Sequence, residues 1–301
     1  VPGLAGSARW SIAFVVIAGV ATSVLSPSQL FNASSGMVVA MVMLSLVVLI
    51  GYAGQVSLCQ YTFVGIGAAT MGKYFASGSP LGVVAATVVA AAFGALVALP
   101  ALRLRDIYLA LATVAFAVFG EKVIFDHPKV FDRGATLNFD RLHIGGLGLE
   151  SEKVMFVFLA ACFAGLAMVV LAIRRGPFGR RLAAMNDSPA ACATLGLNLV
   201  GTKVAVFAVS AGMAGFAGAM FGTLRTSVSG NDFVLLISLT TFLLAMIGGI
   251  TTVTGALIGG LALPILSEIE GNYEGVNLQG LFIGAGAILV SRLPNGFAGW
   301  P

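Results

Sequence analysis

Residues 35–50 read SGMVVAMVMLSLVVLI, an apolar run that ends in the glycine-flanked sequence Gly51-Tyr-Ala-Gly54. No Asp, Glu, Lys, Arg or His occurs anywhere from Ile12 through Gly72. A helix needs about 20 apolar residues to cross the hydrocarbon core of a bilayer, because it rises about 1.5 Å per residue. A spanning helix can break at glycines where the freed backbone stays buried or lines a cavity. This stretch therefore predicts membrane-spanning helices with an interruption between them.

The composition of the whole chain agrees with a bilayer environment. Of the 301 residues, 58% are hydrophobic and 9% are charged, whereas soluble domains carry about 25% charged residues. Sixteen basic and twelve acidic residues give a formal charge of +4. The basic residues concentrate between apolar runs, so they indicate membrane topology and contact with lipid, and no nucleic-acid partner is expected.

The apolar runs predict an all-α membrane protein, a polytopic helical bundle of about ten spans with broken or short helices. Residues 1–301 form a single transmembrane domain in this interpretation. The chain begins at Val1, so excision from a longer or fused polypeptide is also compatible with the sequence. The predicted spans are Ile12 to Leu30, Ser35 to Ile50, Tyr61 to Phe75, Leu81 to Leu99, Ile107 to Ile124, Val154 to Ile173, Val204 to Leu224, Phe233 to Ile247, Gly255 to Ile269 and Leu278 to Ser291.

Ten crossings place both termini on one side of the membrane. Loops 103–106, 174–203 and 249–254 then face that side, and loops 121–153 and 268–274 face the other. The first side carries slightly more basic residues, which favours the cytoplasm. Charge alone does not settle the orientation.

Ionisable groups, which mark proton relays when they are buried in membranes, are almost absent from the predicted spans. Residues 204–224 and 233–267 lack them, as residues 12–72 do. This absence argues against a proton-driven carrier. The spans instead carry hydroxyl and amide groups that suit a neutral or zwitterionic solute, although such groups also bond neighbouring helices. They are Gln55, Ser57, Gln60, Thr62, Thr113, Ser210, Thr240 and Thr241.

The glycine break and its neutral polar neighbours form the predicted substrate pathway. A backbone that leaves helical geometry exposes carbonyl and amide groups to a passing solute. Three other glycine pairs, Gly218/Gly222, Gly255/Gly259 and Gly280/Gly284, have GxxxG spacing and favour helix packing instead. The pathway residues are Gly51, Tyr52, Gly54, Gln55, Ser57 and Thr113.

A near-match to a nucleotide-binding loop, GxxxxGK at Gly67 to Lys73, lies inside an apolar run and continues with Tyr74 instead of Ser or Thr. It has neither the magnesium-binding hydroxyl nor a strand–loop–helix context. We expect ATP to be bound by other chains. This chain is expected to have no cofactor, no metal site and no catalytic residue, and so not to be an enzyme.

Loop 174–203 carries five basic residues and one acid, Asp187. Pro189 favours the first turn of a short helix within it, which should end at Gly196. A compact helix between two spans suggests a docking element, and an ordinary cytoplasmic loop remains the alternative.

Several motifs together resemble the M-type permease subunits of branched-chain amino-acid ABC importers. They occur in family order, and the resemblance covers nearly the whole chain. The motifs are Gly51-Tyr-Ala-Gly-Gln-Val-Ser57, Phe63-Val-Gly-Ile-Gly-Ala68, Leu102-Arg-Leu-Arg-Asp-Ile-Tyr-Leu-Ala-Leu-Ala-Thr113, Phe178-Gly-Arg-Arg-Leu-Ala-Ala184, Leu195-Gly-Leu-Asn198, Ile247-Gly-Gly249, Thr254-Gly255 and Arg292-Leu-Pro-Asn-Gly296.

The resemblance implies a multi-pass protein of the bacterial plasma (inner) membrane with both termini cytoplasmic. It implies a second, H-type permease subunit, two ATP-binding subunits and an external solute-binding protein. Loop 174–203 would be the cytoplasmic coupling loop and loop 121–153 external. The coupling residues that it implies are Gly179, Arg180, Asp187, Pro189, Leu195, Gly196 and Asn198.

Two features depart from the family pattern. Pro189 stands where the family usually has a glutamate, and loop 121–153 lacks the glycine-rich pattern common there. The solute is expected to be a branched-chain or other small neutral amino acid. Related permeases for urea or short-chain amides share the scaffold and stay open as an alternative. A gradient-driven secondary carrier and a passive channel are further alternatives.

Overall fold

The chain is a bundle of helices in a computed structural model, which describes residues 4–101, 106–127, 130–131, 136–144, 147–270, 280–281, 284–286 and 288. The all-α prediction is confirmed. In chain order the helices are α1 (Leu4–Ala21), α2 (Pro27–Leu46), α3 (Gln60–Tyr74), α4 (Pro80–Ala101), α5 (Asp106–Phe119), α6 (Glu152–Arg175), α7 (Pro177–Asp187), α8 (Pro189–Thr194), α9 (Leu199–Arg225), α10 (Leu235–Gly248) and α11 (Val253–Glu270).

Three short helical segments and four two-residue strands complete the described chain. α2 and α5 each end in π-helical geometry, over Val47–Tyr52 and Gly120–Phe125, and a 3-10 turn, Gly230–Phe233, precedes α10. The strands form two antiparallel pairs, β1 with β4 and β2 with β3. They are β1 (Leu137–Asn138), β2 (His143–Ile144), β3 (Leu147–Gly148) and β4 (Ser227–Val228).

Helices α2 and α9 form the centre of the bundle. An 18-residue apolar stretch of the span Pro27–Tyr52 is 78% buried and one of the span Leu199–Arg225 is 67% buried, against 28–39% for the other long spans. α2 packs on α6, α9 and α11, and α9 packs on α3 and α4. The most buried helices are thus the ones that meet the most neighbours.

The predicted first span, Ile12 to Leu30, is wrong. α1 ends at Ala21 and α2 begins at Pro27. A capping box starts α2, since the Ser26 hydroxyl accepts from the Gln29 amide and the Gln29 side chain accepts from the Ser26 amide. Proline at the first helical position completes the start signal.

Six described helices are long and apolar enough to cross a membrane, and two more are apolar but shorter. α3 has only 15 residues. The predicted count of about ten spans is therefore not confirmed. The predicted span from Leu278 to Ser291 lies mostly outside the described residues, and the motif from Arg292 to Gly296 lies wholly outside them.

Glycines allow the central helices to approach closely. A Cβ at Gly218 would overlap the backbone carbonyl of Val64 in α3, and one at Gly67 would overlap the backbone of Gly215 in α9. The packing interpretation of Gly218 is supported, and the GxxxxGK sequence lies within helix α3. Gly284 differs, since no heavy atom lies within 4 Å of its Cβ position in the described part of the chain.

Loops 174–203 and 249–254 lie at one end of the bundle, here called the loop end. The π-helical segment that follows α2 ends there at Tyr52. The Arg174 guanidinium lies over the Tyr52 ring, and Gly51 lies against the Ile250 backbone. The opposite end holds the strands, where Phe139 packs against Gly72 and Gly222. Arg141 also forms an ion pair with Glu152 at that end. The described parts of loops 174–203 and 121–153 therefore lie at opposite ends of the bundle.

Candidate translocation site and coupling loop

Residues 53–59, here called the break segment, join α2 to α3 without helical structure. Gly54 has a φ of +65°, which glycine adopts without steric cost. Its amide donates to the Ile50 carbonyl at 2.9 Å, and the Gln55 amide donates to the Leu49 carbonyl at 3.1 Å. These bonds turn the chain back from the loop end into the bundle.

Helix α3 begins inside the bundle, at a buried serine–glutamine cluster of Ser45, Gln60 and Ser210. The Gln60 amide nitrogen donates to the hydroxyl oxygens of Ser45 and Ser210, each at 2.7 Å. The Ser210 hydroxyl in turn donates to the Ser45 carbonyl at 2.8 Å. The cluster ties α3 to the two central helices. A short helix that starts at this depth is the geometry of broken transporter helices.

Thr113 of α5 forms a hydrogen bond with the C-terminal part of the break segment, at Leu58. Its hydroxyl accepts from the Leu58 amide at 3.1 Å and donates to the Ala110 carbonyl at 2.8 Å. Ser57 is fully buried nearby, with its hydroxyl 3.3 Å from the Cys59 sulfur. The structure therefore brings Thr113 to the other predicted pathway residues.

Two glutamine acceptors in this region lack partners. The side-chain oxygens of Gln55 and Gln60 are buried and make no hydrogen bond to any residue that the structure describes. An unsatisfied buried acceptor costs about 1–3 kcal/mol, so such groups usually meet water or a ligand. Both oxygens are neutral acceptors that an ammonium group or a water molecule can satisfy.

The coupling loop contains two helices, of which only the second was predicted. α8 begins at Pro189, as predicted, and the Ser188 hydroxyl caps it by accepting from the Ala191 amide at 3.3 Å. α7 was missed. Its sharp start needs Gly179, because a Cβ there would overlap the carbonyls of Ile173 and Arg174.

Gly196 ends α8 in a Schellman motif. Its φ is +76°, its amide donates to the Ala193 carbonyl at 3.1 Å, and the Leu197 amide donates to the Cys192 carbonyl at 3.0 Å. Asn198 then caps α9, since its side-chain oxygen accepts from the Gly201 amide at 2.8 Å. The predicted coupling residues Gly196 and Asn198 thus shape the loop.

The outer surface of α7 and α8 is exposed. Arg180 and Asp187 are exposed, and Leu195 is 81% exposed. Cys192 is the buried residue of α8. This surface is accessible to a protein partner.

The break segment and the coupling loop touch at Gly54, which lies against Asn186 of α7. A Cβ at Gly54 would overlap the Asn186 side-chain oxygen. Beside this contact the Arg174 guanidinium lies 5.6 Å from the centre of the Tyr52 ring. The sequence carried no signal for Asn186, because its partner is distant in the chain.

The sequence matches the family described as "Branched-chain amino acid transport system / permease component" over residues 29–291. The chain belongs to this permease family. It is 28% identical over 271 residues to the high-affinity branched-chain amino acid transport system permease protein LivM of Escherichia coli, covering 80% of this chain and 62% of that protein. LivM of Salmonella typhimurium gives the same identity and coverage.

A second group of relatives bears the name LivH. LivH of Escherichia coli is 28% identical over 147 residues, which cover 48% of this chain and 47% of that protein. No solved structure matches the chain. The chain spans about 62% of the length of the LivM relatives.

Proposed function

We propose that this chain is the membrane-spanning permease subunit of an ABC importer for branched-chain or other small neutral amino acids. The names of the LivM and LivH relatives support this proposal. The strongest structural support is the contact between Gly54 and Asn186. This contact joins the uncharged break segment to the exposed coupling loop. In this arrangement, a partner protein that binds the coupling loop can move the break segment of the solute pathway. The chain itself performs no catalysis.

The proposed assembly contains an H-type permease subunit, two ATP-binding subunits and an external solute-binding protein. It lies in the bacterial plasma membrane, with both termini of this chain in the cytoplasm. ATP binds to the partner subunits. Leu195 and Arg180 contact the ATP-binding subunits, because they are exposed on the coupling loop.

The break segment provides transient contacts for the solute. Gln55, Ser57 and Thr113 are buried in the described conformation, so the segment must move before they meet solute. A lining without fixed charges avoids trapping the ammonium or carboxylate of a zwitterion. Weak contact is advantageous, since an importer must release what its binding protein delivers.

Motion reaches the break segment through α7. Closure of the ATP-binding subunits displaces α7 and α8, and the Asn186 side chain then pushes or releases Gly54. Interfaces between packed helices switch between discrete arrangements rather than deforming continuously. Asn186 is therefore a positioning residue that links the two regions.

Uptake by the reconstituted assembly tests the proposal. Vesicles with this chain and all proposed partners are expected to accumulate radiolabelled leucine only when ATP and the binding protein are both present. Urea and acetamide, supplied in excess, should not reduce leucine uptake. Uptake driven by a proton gradient without ATP would support a secondary carrier, and inhibition by urea would support the amide alternative.

Replacing Gly196 is expected to uncouple ATP hydrolysis from uptake. Gly196→Val places a β-branched residue at positive φ, which costs about 1–2 kcal/mol and disfavours the end of α8. No heavy atom lies within 4 Å of the new Cβ, so strain alone causes the effect. The ratio of ATP hydrolysed to leucine transported should rise severalfold.

Gly196→Asn is the matched control, because asparagine tolerates this backbone conformation. It should retain a nearly normal ratio with an equal amount of protein in the membrane. If Gly196→Val transports with the normal ratio, the shape of α8 has no part in coupling.

The proposed orientation predicts which exposed residues react with an impermeant thiol reagent in intact cells. Cysteine at Asn138→Cys should be labelled, whereas cysteine at Asp187→Cys should react only after the membrane is opened. Both positions are exposed. The native Cys59 and Cys192 are buried and Cys162 is half-buried, so labelling of the unsubstituted chain is subtracted as background. The reverse pattern would invert the topology.

A further inference from the structure

A groove of about 340 Å³ opens at the loop end, between α1, α6, the end of the long α2 helix and the start of α11. Its inner part is apolar, with Phe14 and Phe163 in ring contact at 5.8 Å between centroids. Its outer part carries hydroxyl groups and the Arg174 guanidinium. The groove is thus polar at one end and apolar along the rest.

The polar end offers two donors, the Tyr52 hydroxyl and the Arg174 guanidinium. The Tyr52 side chain is only 9% exposed, and its hydroxyl makes no hydrogen bond to any residue described by the structure. Arg174 lies over the same ring. No aspartate or glutamate is among the residues that line the groove. One cation with neutral donors and no acid is complementary to an anion.

The groove is lined by residue types that favour a membrane interface. Trp10, which is 73% exposed, lines its mouth. Tryptophan and arginine prefer the level of lipid headgroups, where an amphipathic or charged side chain meets water. A ligand with its charge at that level and an apolar remainder below it matches the two parts of the groove.

We propose that this groove binds one anionic phospholipid. The phosphate accepts hydrogen bonds from the Arg174 guanidinium and the Tyr52 hydroxyl, and one acyl chain lies against Phe14 and Phe163. Basic pockets between helices on the cytoplasmic side suit anionic headgroups. Its placement in the cytoplasmic leaflet rests on the proposed topology, whereas the binding itself does not depend on transport.

A bound lipid would connect the break segment to the coupling loop at the loop end. Tyr52 directly precedes the break segment, and Arg174 is the first residue of the coupling loop, in the last turn of α6. A phosphate held by both side chains bridges the two regions next to the contact of Gly54 with Asn186. The groove is therefore a place where membrane composition acts on coupling.

Fluorescence quenching of Trp10 in the purified 301-residue chain tests the proposal. Trp300→Phe leaves Trp10 as the single indole, since the chain has two tryptophans. In mixed micelles, phosphatidylglycerol with bromine atoms on its acyl chains should quench Trp10 at a lower mole fraction than brominated phosphatidylcholine. Arg174→Gln should raise the half-quenching mole fraction of phosphatidylglycerol about fivefold.

Three comparisons make the result specific. Arg181→Gln removes an exposed cation of α7 outside the groove and should change nothing, whereas Tyr52→Phe should weaken quenching less than Arg174→Gln. Arg174→Lys keeps the charge and should retain most of the selectivity. Competition by free glycerol 3-phosphate would identify a soluble phosphate as the ligand and overturn the lipid proposal. Equal quenching by both lipids, or an unchanged Arg174→Gln, would also overturn it.

Discussion

Gly218→Val is expected to remove most of the folded protein from the membrane. The new Cβ would overlap the Val64 carbonyl, and backbone cannot move aside as a flexible side chain does. Overpacking of an interior costs about 1–3 kcal/mol when side chains can adjust, and more against backbone. Folded proteins are stable by only about 5–15 kcal/mol. Separation of α3 from α9 would also strain the serine–glutamine cluster.

The measurement is the yield of monodisperse protein after extraction, followed by its thermal unfolding midpoint. Gly165→Val is the matched control, because it is the same change in helix α6 with no heavy atom within 4 Å of the new Cβ. It should give a normal yield. Equal losses in the two variants would show that valine is poorly tolerated in these helices generally, and that the close approach at Gly218 is not the cause.

Local signals in the sequence explain the features that were predicted correctly. The break at Gly54 and the start of α8 at Pro189 both depend on backbone preferences of single residues. The end of α8 at Gly196 needs positive φ, which glycine provides. Such backbone preferences depend on only a few neighbouring residues, so these helix ends can be predicted from the local sequence.

The sequence signal for the boundary between α1 and α2 is also local, but it was overlooked. Ser26, Pro27 and Gln29 form a capping box with proline at the first helical position. Hydropathy conceals this signal, because none of these residues is charged and apolar residues surround them. α7 was missed for the opposite reason, since its basic and polar residues resemble those of an irregular loop.

Contacts between distant parts of the chain could not be predicted. Gln60 and Ser210 are 150 positions apart, and Leu58 and Thr113 are 55 apart. Each side chain alone fits either helix packing or a solute pathway. The fold decides between these roles, since it gives the Gln60 nitrogen two partners while its oxygen lacks one in the described chain.

Gly54→Val is expected to lower the leucine uptake rate at least tenfold while the protein stays in the membrane. Valine at a φ of +65° is strained by about 1–2 kcal/mol, and its Cβ would overlap the Asn186 side chain as well. Gly54 itself is exposed, so the bundle core is not repacked. The apparent KM should change little, because the external binding protein sets it.

Further variants separate the effect of backbone strain at Gly54 from the effect of its contact with Asn186. Gly54→Ala retains the overlap with Asn186, whereas Gly54→Ala combined with Asn186→Gly removes it and leaves only the backbone strain. If α7 drives the break segment, the double variant should regain part of the uptake rate but consume more ATP per leucine than the wild type, since the transmitting side chain is missing. Asn186→Gly alone should show the same raised ratio. A double variant that restores both rate and ratio would mean that Asn186 only obstructs bulky residues at position 54, and that coupling reaches the passage by another route.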